Sequence, residues 1–400
     1  MKKLIYSLAF LFILHNFVFI NTCSCQWEPT NGPFAGSVYS LAFSGNNIFA
    51  GTGNNVYLST INGNNWIQTA LYNQRINSLA AFGNNIFAGT DSGVYYSANN
   101  GSSWTHTSLN NQEIYSLAVS GINIYAGTGG FGVYYSANNG NTWVQTTLNN
   151  QSVHSLAIDG NNIFAGTGNG VFLTTNNGNN WTQTALNNVT VYSFAISGFN
   201  IFAGTANFSG LGGVYISSNN GVSWSITSLH NGTVNALAAE GTNLFAGTFS
   251  TGVFLSTNNG LSWINKNQGL GTGIVFALLI TNSYIFASGI DDEVWRRLYS
   301  EIIGIQNISG EIPSGFQLHQ NYPNPFNPTT NIRYNLPKNG FVKLVVFDIT
   351  GKEIETLVNE KQSVGTYEAK FDGSQLSSGV YFYKMQAGDF IQTKKMFLLK

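Results

Sequence analysis

Few side chains in the first three-quarters of this 400-residue chain could do acid–base chemistry. Asp91 follows one short apolar run, and three consecutive acids, Asp291, Asp292 and Glu293, follow another. Two carboxylates held several ångströms apart, one as acid and one as base or nucleophile, are what many glycosidases use. One hypothesis is therefore a polysaccharide-acting hydrolase or lyase, and ordinary surface acids are the alternative explanation.

These residues do not support a metal site. Three consecutive acids cannot direct enough oxygen ligands at one Ca²⁺ ion. The histidines occupy unrelated positions in the sequence repeats described below, which argues against a zinc site. They are His106, His154 and His230. We predict no metal and no cofactor.

Charge is sparse and unevenly divided along the chain. Between residues 27 and 299 there are eight acidic and four basic residues, whereas acids and lysines are dense and nearly balanced from residue 300 onward. Neither part has the basic field that phosphate backbones require, which argues against a nucleic-acid partner. Arg75 stands alone between repeats, and Arg296 and Arg297 are neighbours whose side chains point to opposite faces of a strand. An arginine triad for a substrate carboxylate is therefore excluded.

Residues 1–25 have the features of a secretory signal peptide: two lysines, an apolar run over residues 4–20 and small residues before Gln26. Cleavage after Cys25 removes Cys23 and Cys25, which leaves no thiol for a disulfide, a metal or catalysis. The apolar run is near the lower limit for a membrane span, so an uncleaved anchor is the alternative. We predict cleavage and no permanent membrane span.

A motif of the form IFAGT occurs seven times, at intervals of 38 to 43 residues. Each repeat contains four short apolar runs separated by Gly and Asn, and its β-branched and aromatic residues favour strands. Seven four-stranded units of this length predict an all-β fold, a seven-bladed β-propeller over residues 26–300. The motifs begin at Ile48, Ile86, Ile124, Ile163, Ile201, Leu244 and Ile285.

The two ends of the repeat region complement each other. The seventh repeat supplies three strands but lacks the fourth, whereas Trp27 precedes the first repeat much as Trp66 precedes the second. We therefore predict that an N-terminal strand completes the last blade and closes the ring.

One turn, SANNGSSW at residues 97–104, recurs between the third and fourth strands of blades two to six. It resembles the Asp-box of the sialidase-like and related propellers, with Asn in the Asp position. In those families the turn is structural and lies on the face away from the active site. We therefore interpret each copy as a turn that stabilises its blade and does not contact a ligand. The Asn carbonyl can accept backbone N–H bonds, the Gly can adopt positive φ, and the Trp can pack between sheets. The residues are Asn99, Gly101, Trp104, Asn138, Gly140, Trp143, Asn176, Gly178, Trp181, Asn219, Gly221, Trp224, Asn258, Gly260 and Trp263.

A binding site is predicted at the mouth of the central channel, on the face where the second residue of each first strand lies. Aromatic faces beside amides suit sugars or peptides, and the alternative is that these side chains only pack the inner strands. A long loop over residues 205–215 adds Phe208, because a loop lengthened in one repeat often carries a specific contact. The ring residues are Tyr39, Asn77, Tyr115, His154, Tyr192, Asn235 and Phe276.

Residues 320–400 differ in character, with a Pro-rich entry followed by alternating strands and tight turns that predict a small Ig-like β-sandwich. YPNPFNPTT, VFDITGKEI, LSSGVYFYK and the terminal KKMFLLK occur in that order. The segment closely resembles the type A C-terminal sorting domain of the type IX secretion system of Bacteroidota. The resemblance implies recognition by that machinery, export across the outer membrane, and release or attachment at the cell surface. A fibronectin-like accessory module is the alternative, and residues 301–319 are predicted to be a linker.

The sequence thus predicts an exported, non-catalytic propeller that binds a glycan or an extracellular protein. The alternative is the hydrolase or lyase that would use Asp91 with the three consecutive acids.

Overall fold

The computed structural model describes residues 26–34, 36–206, 210–290, 293–309, 313–362 and 364–400. The predicted signal peptide and three candidate site residues, Phe208, Asp291 and Asp292, lie outside these ranges. Within them, the regular structure is strand apart from one short helix, α1 (Tyr299–Ile302). The prediction of an all-β protein is confirmed.

The ring consists of seven four-stranded antiparallel sheets, called blades 1 to 7, with strands A to D from the channel outward. In chain order, blades 1 to 3 follow an N-terminal strand: β1 (Glu28–Pro29), β2 (Val38–Ser44), β3 (Asn47–Thr52), β4 (Asn55–Ser59), β5 (Ile67–Tyr72), β6 (Ile76–Phe82), β7 (Asn85–Thr90), β8 (Gly93–Ser97), β9 (Thr105–His106), β10 (Ile114–Ser120), β11 (Asn123–Thr128), β12 (Val133–Ser136) and β13 (Val144–Gln145).

Blades 4 to 7 repeat the arrangement. Their strands are β14 (Val153–Asp159), β15 (Asn162–Thr167), β16 (Gly170–Thr174), β17 (Thr182–Asn187), β18 (Val191–Ser197), β19 (Asn200–Thr205), β20 (Gly213–Ser217), β21 (Ser225–His230), β22 (Val234–Glu240), β23 (Asn243–Thr248), β24 (Val253–Ser256), β25 (Ile264–Asn265), β26 (Ala277–Ile280), β27 (Tyr284–Ser288) and β28 (Val294–Leu298).

The IFAGT motif forms strand B of each blade, which is buried between two neighbouring sheets. Its apolar residues are buried because both faces of the strand meet other blades. In blades 1 to 6 its Gly lies against the start of the next inner strand: a Cβ atom on Gly89 would lie 2.6 Å from Cγ2 of Ile114. A side chain at this position in these six blades would therefore push the blades apart. Blade 7 has Ser288 at this position.

The ring closes through its N-terminus, as predicted. Strand β1 pairs with β28, which places four strands in blade 7 in the order β1, β28, β27, β26. Trp27 is 1% exposed, and its indole N–H donates to the Lys266 carbonyl oxygen at 2.6 Å. The first and last segments of the propeller are thereby held in one sheet.

Arg296 bridges the two ends of the ring at blade 7. Its guanidinium pairs with the Glu28 carboxylate at 2.9 Å and donates to the side-chain oxygen of Asn64 in the C–D turn of blade 1 at 2.7 Å. One side chain thus joins the N-terminal strand, the last blade and the first.

The C-terminal part is a β-sandwich of two four-stranded sheets around one core, which includes Tyr334, Phe371 and Tyr383. The strand orders are β29, β34, β31, β30 and β33, β32, β35, β36. The strands are β29 (Ile305–Ser309), β30 (Gln317–Leu318), β31 (Thr329–Leu336), β32 (Gly340–Phe347), β33 (Glu353–Gln362), β34 (Gly365–Asp372), β35 (Gly379–Ala387) and β36 (Phe390–Leu398).

The structure differs from the predicted linker over residues 301–319. Strand β29 lies inside that range and pairs with β34, so it belongs to the sandwich sheet. The short apolar run IQNIS carries no sign of its partner, which lies about sixty residues later in the chain. The predicted domain boundary at residue 320 stays a prediction, and part of the sheet precedes it.

The sandwich contacts the ring at blades 6 and 7. Ile303, just after α1, packs against the cores of both parts. The Thr257 hydroxyl donates to the Glu355 carboxylate at 3.0 Å, and the backbone of Gly241 approaches Asn359 closely. These contacts lie on the face that carries the A–B hairpins and C–D turns.

Candidate functional site

The seven predicted ring residues converge on one cavity of about 480 Å³ at the mouth of the channel. A cavity of this size falls within the range that small ligands occupy in proteins. It is lined by Tyr39, Asn77, Tyr115, His154, Tyr192, Asn235 and Phe276, together with Arg75 and Glu113. Phe208, the eighth predicted residue, lies outside the described residues.

A repeated backbone irregularity directs these side chains. In blades 1 to 6 the register of strands A and B shifts at the second residue of strand A, as between Val38 and Ser40 around Tyr39. The bulged residue is left out of the pairing, and bulges of this kind re-aim a side chain. The sequence period alone does not reveal the bulge, but it selects the residue that occupies it.

Aromatic rings form two separate arcs around the mouth. In blades 3 to 5, the Tyr115 ring stacks on the His154 ring with centroids 5.6 Å apart, and the His154 and Tyr192 rings form a T-shaped pair with centroids 5.4 Å apart. In blades 7 and 1, the rings of Phe276 and Tyr39 lie 5.4 Å apart. We call these the long arc and the short arc.

Asparagines separate the two arcs at blades 2 and 6. The amide nitrogen of Asn77 donates to the Ile114 carbonyl oxygen at 3.1 Å, and that of Asn235 donates to the Val275 carbonyl oxygen at the same distance. Each amide therefore ties its strand A to strand A of the next blade. These two residues serve the packing of the ring as well as its mouth.

Sequence analysis missed the two charged residues of the cavity, Arg75 and Glu113. Both precede strand A in their blades, and long side chains on that connection can reach the channel. The Arg75 guanidinium carbon lies 4.8 Å from the centroid of the Tyr39 ring, in cation–π geometry. Each is charged in its own repeat alone, so the repeat pattern gave no signal that could have identified them.

Glu113 and Tyr115 form a hydrogen-bonded pair. The Tyr115 hydroxyl donates to Glu113 Oε2 at 3.1 Å. Gly129 stands directly behind the pair, since a Cβ atom on Gly129 would lie 3.0 Å from the same carboxylate oxygen. A larger residue at position 129 would displace the pair.

The cavity favours the uncharged forms of the His154 and Tyr115 side chains. Burial lowers the pKa of His154, so its imidazole is uncharged at neutral pH. Burial raises the pKa of Tyr115, and the hydrogen bond to Glu113 raises it further, which keeps the phenol protonated. Tyr115 is therefore held as a hydrogen-bond donor rather than activated as a nucleophile.

The four predicted catalytic acids are only partly described. The Asp91 carboxylate accepts a hydrogen bond from the Asn77 amide at 2.8 Å, at the edge of the cavity. Glu293 is not among the residues that line the cavity, and the other two acids lie outside the described residues. The carboxylate in the lining is that of Glu113, so a catalytic pair built on the four acids stays a prediction.

The recurrent turns lie at the opposite ends of the sheets from this cavity, because the C–D turn and the A–B hairpin share one face in an antiparallel blade. In the turn of blade 2, Ser97 Oγ accepts the Gly101 N–H at 2.8 Å and Asn99 Oδ1 accepts the Ser103 N–H at 2.9 Å. The Asn99 amide also donates to the Ser103 hydroxyl, a bond that a carboxylate could not donate. The same accepting bonds recur in the turns of blades 3 to 6.

The turn tryptophans connect neighbouring blades. The Trp143 indole N–H donates to the Thr107 hydroxyl of the preceding blade at 3.2 Å, and the equivalent bond occurs at Trp181, Trp224 and Trp263. In blade 1 the acceptor of the Trp66 N–H is Thr30 in the N-terminal segment. The turn face therefore carries bonds within and between blades, as a structural role for the turns would require, although the Trp104 indole N–H in blade 2 has no partner among the described contacts.

A larger cavity of about 820 Å³ lies between the ring and the sandwich. Its walls come from both parts, including Tyr299 of the ring side and Lys361 of the sandwich. It lacks the convergence of equivalent residues from all blades, so we place the candidate site at the channel mouth.

Residues 320–399 match the family described as the secretion system C-terminal sorting domain. This match supports export of the protein by the type IX secretion system to the cell surface or the medium, and it implies an interaction with that machinery. No helix within the described ranges is long and apolar enough to cross a membrane.

Solved structures share the fold at low identity. YCF48 from Cyanidioschyzon merolae has a TM-score of 0.57 at 15% identity, covering 68% of this chain and 98% of that one. PorZ, a surface component of the type IX secretion system of Porphyromonas gingivalis, has a TM-score of 0.55 at 15% identity, covering 91% of this chain and 60% of that one. Virginiamycin B lyase from Staphylococcus aureus has a TM-score of 0.58 at 8% identity, covering 68% and 99%. A search of curated proteins finds no significant match.

Proposed function

We propose that the exported protein is a non-catalytic binding module that holds a glycan or an extracellular protein at the channel mouth. The observation that supports this proposal is the convergence of one bulged side chain from each of six blades, with Phe276 from the seventh, on a single open cavity. Five of the seven are aromatic or imidazole rings. Such faces provide apolar contact to sugars and peptides, while amides and hydroxyls bind their polar edges.

We propose in addition that the five recurrent turns are degenerate Asp-boxes with a structural role. Most of their hydrogen bonds are made within the turn or with the preceding blade, which supports a structural role. The Trp104 indole N–H and the side-chain oxygens of Asn100 and Asn139 have no partner among the described contacts. The propeller neighbours support the ring architecture, and one of them, PorZ, is a surface component by its own description.

The proposal is tested by exchanging residues on the two faces. We expect the double variant Tyr115→Ala, Tyr192→Ala to lose retention on a glycan array, because each stacked ring contributes about 1 kcal/mol. The fold should survive, since the other blades keep their inner strands. Melting temperature and circular dichroism check the fold in the same preparations.

The matched control is the double variant Asn99→Ala, Asn138→Ala on the turn face. It removes two acceptors of backbone N–H groups, so we expect lower stability with unchanged binding. Loss of binding in the asparagine variant alone would place the site on the turn face and overturn the proposal.

A further inference from the structure

We infer that the channel mouth selects a saccharide that carries a protonated amine, bound with its sugar ring on the long arc and its ammonium group beside Glu113. This inference rests on the proposed function and names the class of ligand for the same site. It is drawn from the distribution of charge around the two arcs.

Two carboxylates, Glu113 and Asp91, act electrostatically on Tyr115 of the long arc, while Arg75 acts on it in the opposite sense. Aromatic ring faces attract cations, and the long arc offers two phenol rings and an imidazole that burial keeps uncharged. The Glu113 carboxylate stands at the end of this arc, fixed by the Tyr115 hydroxyl through one of its two oxygens. Its other oxygen has no hydrogen-bond donor among the contacts of the described residues. Asp91, beyond Asn77, adds a second negative charge on the same side.

The short arc carries the opposite charge. Arg75 lies over the Tyr39 ring, so a cation already occupies that aromatic face. A ligand ammonium would be repelled there and attracted at Glu113, which fixes one orientation of the ligand across the mouth. An uncharged saccharide gains the stacking contacts without this preference.

The exposure of Glu113 limits the preference for a ligand that carries an ammonium group. Glu113 is exposed, so water and salt screen its attraction for a cation, and an ion pair of this kind is weak in isolation. A cation over an aromatic ring beside a carboxylate combines two such attractions. Together they correspond to an expected preference of about fivefold to tenfold over the uncharged ligand.

Chitosan and chitin hexamers are suitable probes, because they differ only in whether the amines are free or acetylated. We expect the purified protein, with its sandwich, to bind the chitosan hexamer about fivefold to tenfold more tightly by calorimetry at about pH 6.5, where a large share of the free amines is protonated and the lowered pKa of His154 keeps most of its imidazole uncharged. The preference should weaken as salt is added.

Two variants, each of which removes one charge from the cavity, test whether the preference for chitosan depends on Glu113. Glu113→Gln keeps an acceptor for the Tyr115 hydroxyl but removes the charge, and we expect it to bind both hexamers with the weaker affinity of chitin. Arg75→Gln removes the repelling cation and should bind chitosan at least as tightly as the unchanged protein.

Equal affinity for the two hexamers, or a preference for chitosan that persists in Glu113→Gln, overturns the inference and leaves the proposed binding function intact. A preference for polygalacturonate that disappears in Arg75→Gln overturns it as well, by showing an acidic ligand. If neither hexamer binds and the Tyr115→Ala, Tyr192→Ala variant changes no binding to any glycan or protein tested, the inference and the proposed function both fail.

Discussion

Single atoms decide how closely the blades approach one another. In blades 1 to 6 the Gly of the IFAGT motif is the point of contact, because a methyl group there would collide with a residue at or just before the start of the next inner strand. This requirement does not arise from backbone conformation, since these glycines lie in regular strands. It explains why a repeat of aliphatic and aromatic residues contains a glycine at this position in six of its seven copies, the seventh having Ser288.

We expect Gly166→Ala to destabilise the propeller. The new Cβ atom would collide with Ser155 Oγ of its own blade and would lie 2.8 Å from Cγ1 of Val191 in the next blade, and overpacking of this kind costs about 1 to 3 kcal/mol. Chemical denaturation measures the change in the free energy of unfolding. Gly168→Ala is the matched control, since a Cβ atom there has no neighbour within 4 Å, and its effect should stay within about 0.5 kcal/mol. Equal losses in the two variants would contradict the packing role.

The sequence identified seven residues of the cavity lining but not Arg75 and Glu113. Equivalent positions reveal themselves by repetition, and Tyr39, Asn77 and their counterparts occupy one position in every repeat. Arg75 and Glu113 occur in single repeats, on the connection before strand A, where period and spacing carry no information. Only the positions of the backbone and of neighbouring rings show that their side chains reach the cavity.

Among the secondary-structure elements, the short N-terminal strand is the one that closes the ring. Strand β1 has two residues, yet it supplies the outer strand of blade 7 and carries Trp27 into the core between blades 6 and 7. The sequence predicted this strand because a missing fourth strand at one end matched a spare tryptophan at the other. It did not predict β29, because nothing in a five-residue apolar run indicates a partner distant in sequence.

We expect Trp27→Ala to lower the stability of the ring by about 3 to 5 kcal/mol, the usual cost of removing a fully buried large aromatic side chain. Deletion of residues 26–31 should lower the melting temperature further, because blade 7 then loses its outer strand as well. Thermal unfolding followed by tryptophan fluorescence or circular dichroism measures both. Glu28→Gln is the control: it keeps β1 and an oxygen acceptor for Arg296 and removes only the charge of a half-exposed carboxylate, so it should change the melting temperature little. A deletion that melts with the unchanged protein would rule out closure by this strand.

At the scale of the whole molecule, the sandwich contains the segment that matches the sorting domain, and the ring contains the candidate binding site. We expect deletion of residues 394–400 to retain the protein in the periplasm, because this segment ends the domain that matches the sorting family. Fractionation and immunoblotting of cells and medium measure the outcome. The deletion also removes buried Met396 and Leu398, so Met385→Ala serves as a control that weakens the same core and keeps the terminus. Unchanged amounts outside the cell after the deletion would contradict the sorting role.

The contact between the two parts contains a carboxyl group that titrates near neutral pH. Glu355 receives a hydrogen bond from Thr257 in the turn of blade 6, and burial at this junction raises its pKa from 4.5 to about 7. The Asp372 carboxylate raises the pKa as well, whereas the Thr257 hydroxyl lowers it. Protonated Glu355 is therefore the form that favours contact with the ring.

The sign of the pH dependence follows from this shift. When the sandwich separates from the ring, the carboxyl group returns to water and to its ordinary pKa of 4.5. Its contribution to the contact is fully present below that value and is lost as pH rises through about 7.

We expect hydrogen exchange at the Thr257 turn to be slower at about pH 5 than at about pH 8, after correction for the intrinsic pH dependence of exchange. Glu355→Gln, which stays neutral, should abolish the difference, while Glu353→Gln on the same strand, where the side chain is exposed, should preserve it. Corrected exchange that is the same at both pH values in the unchanged protein would show that the carboxyl group does not control the contact.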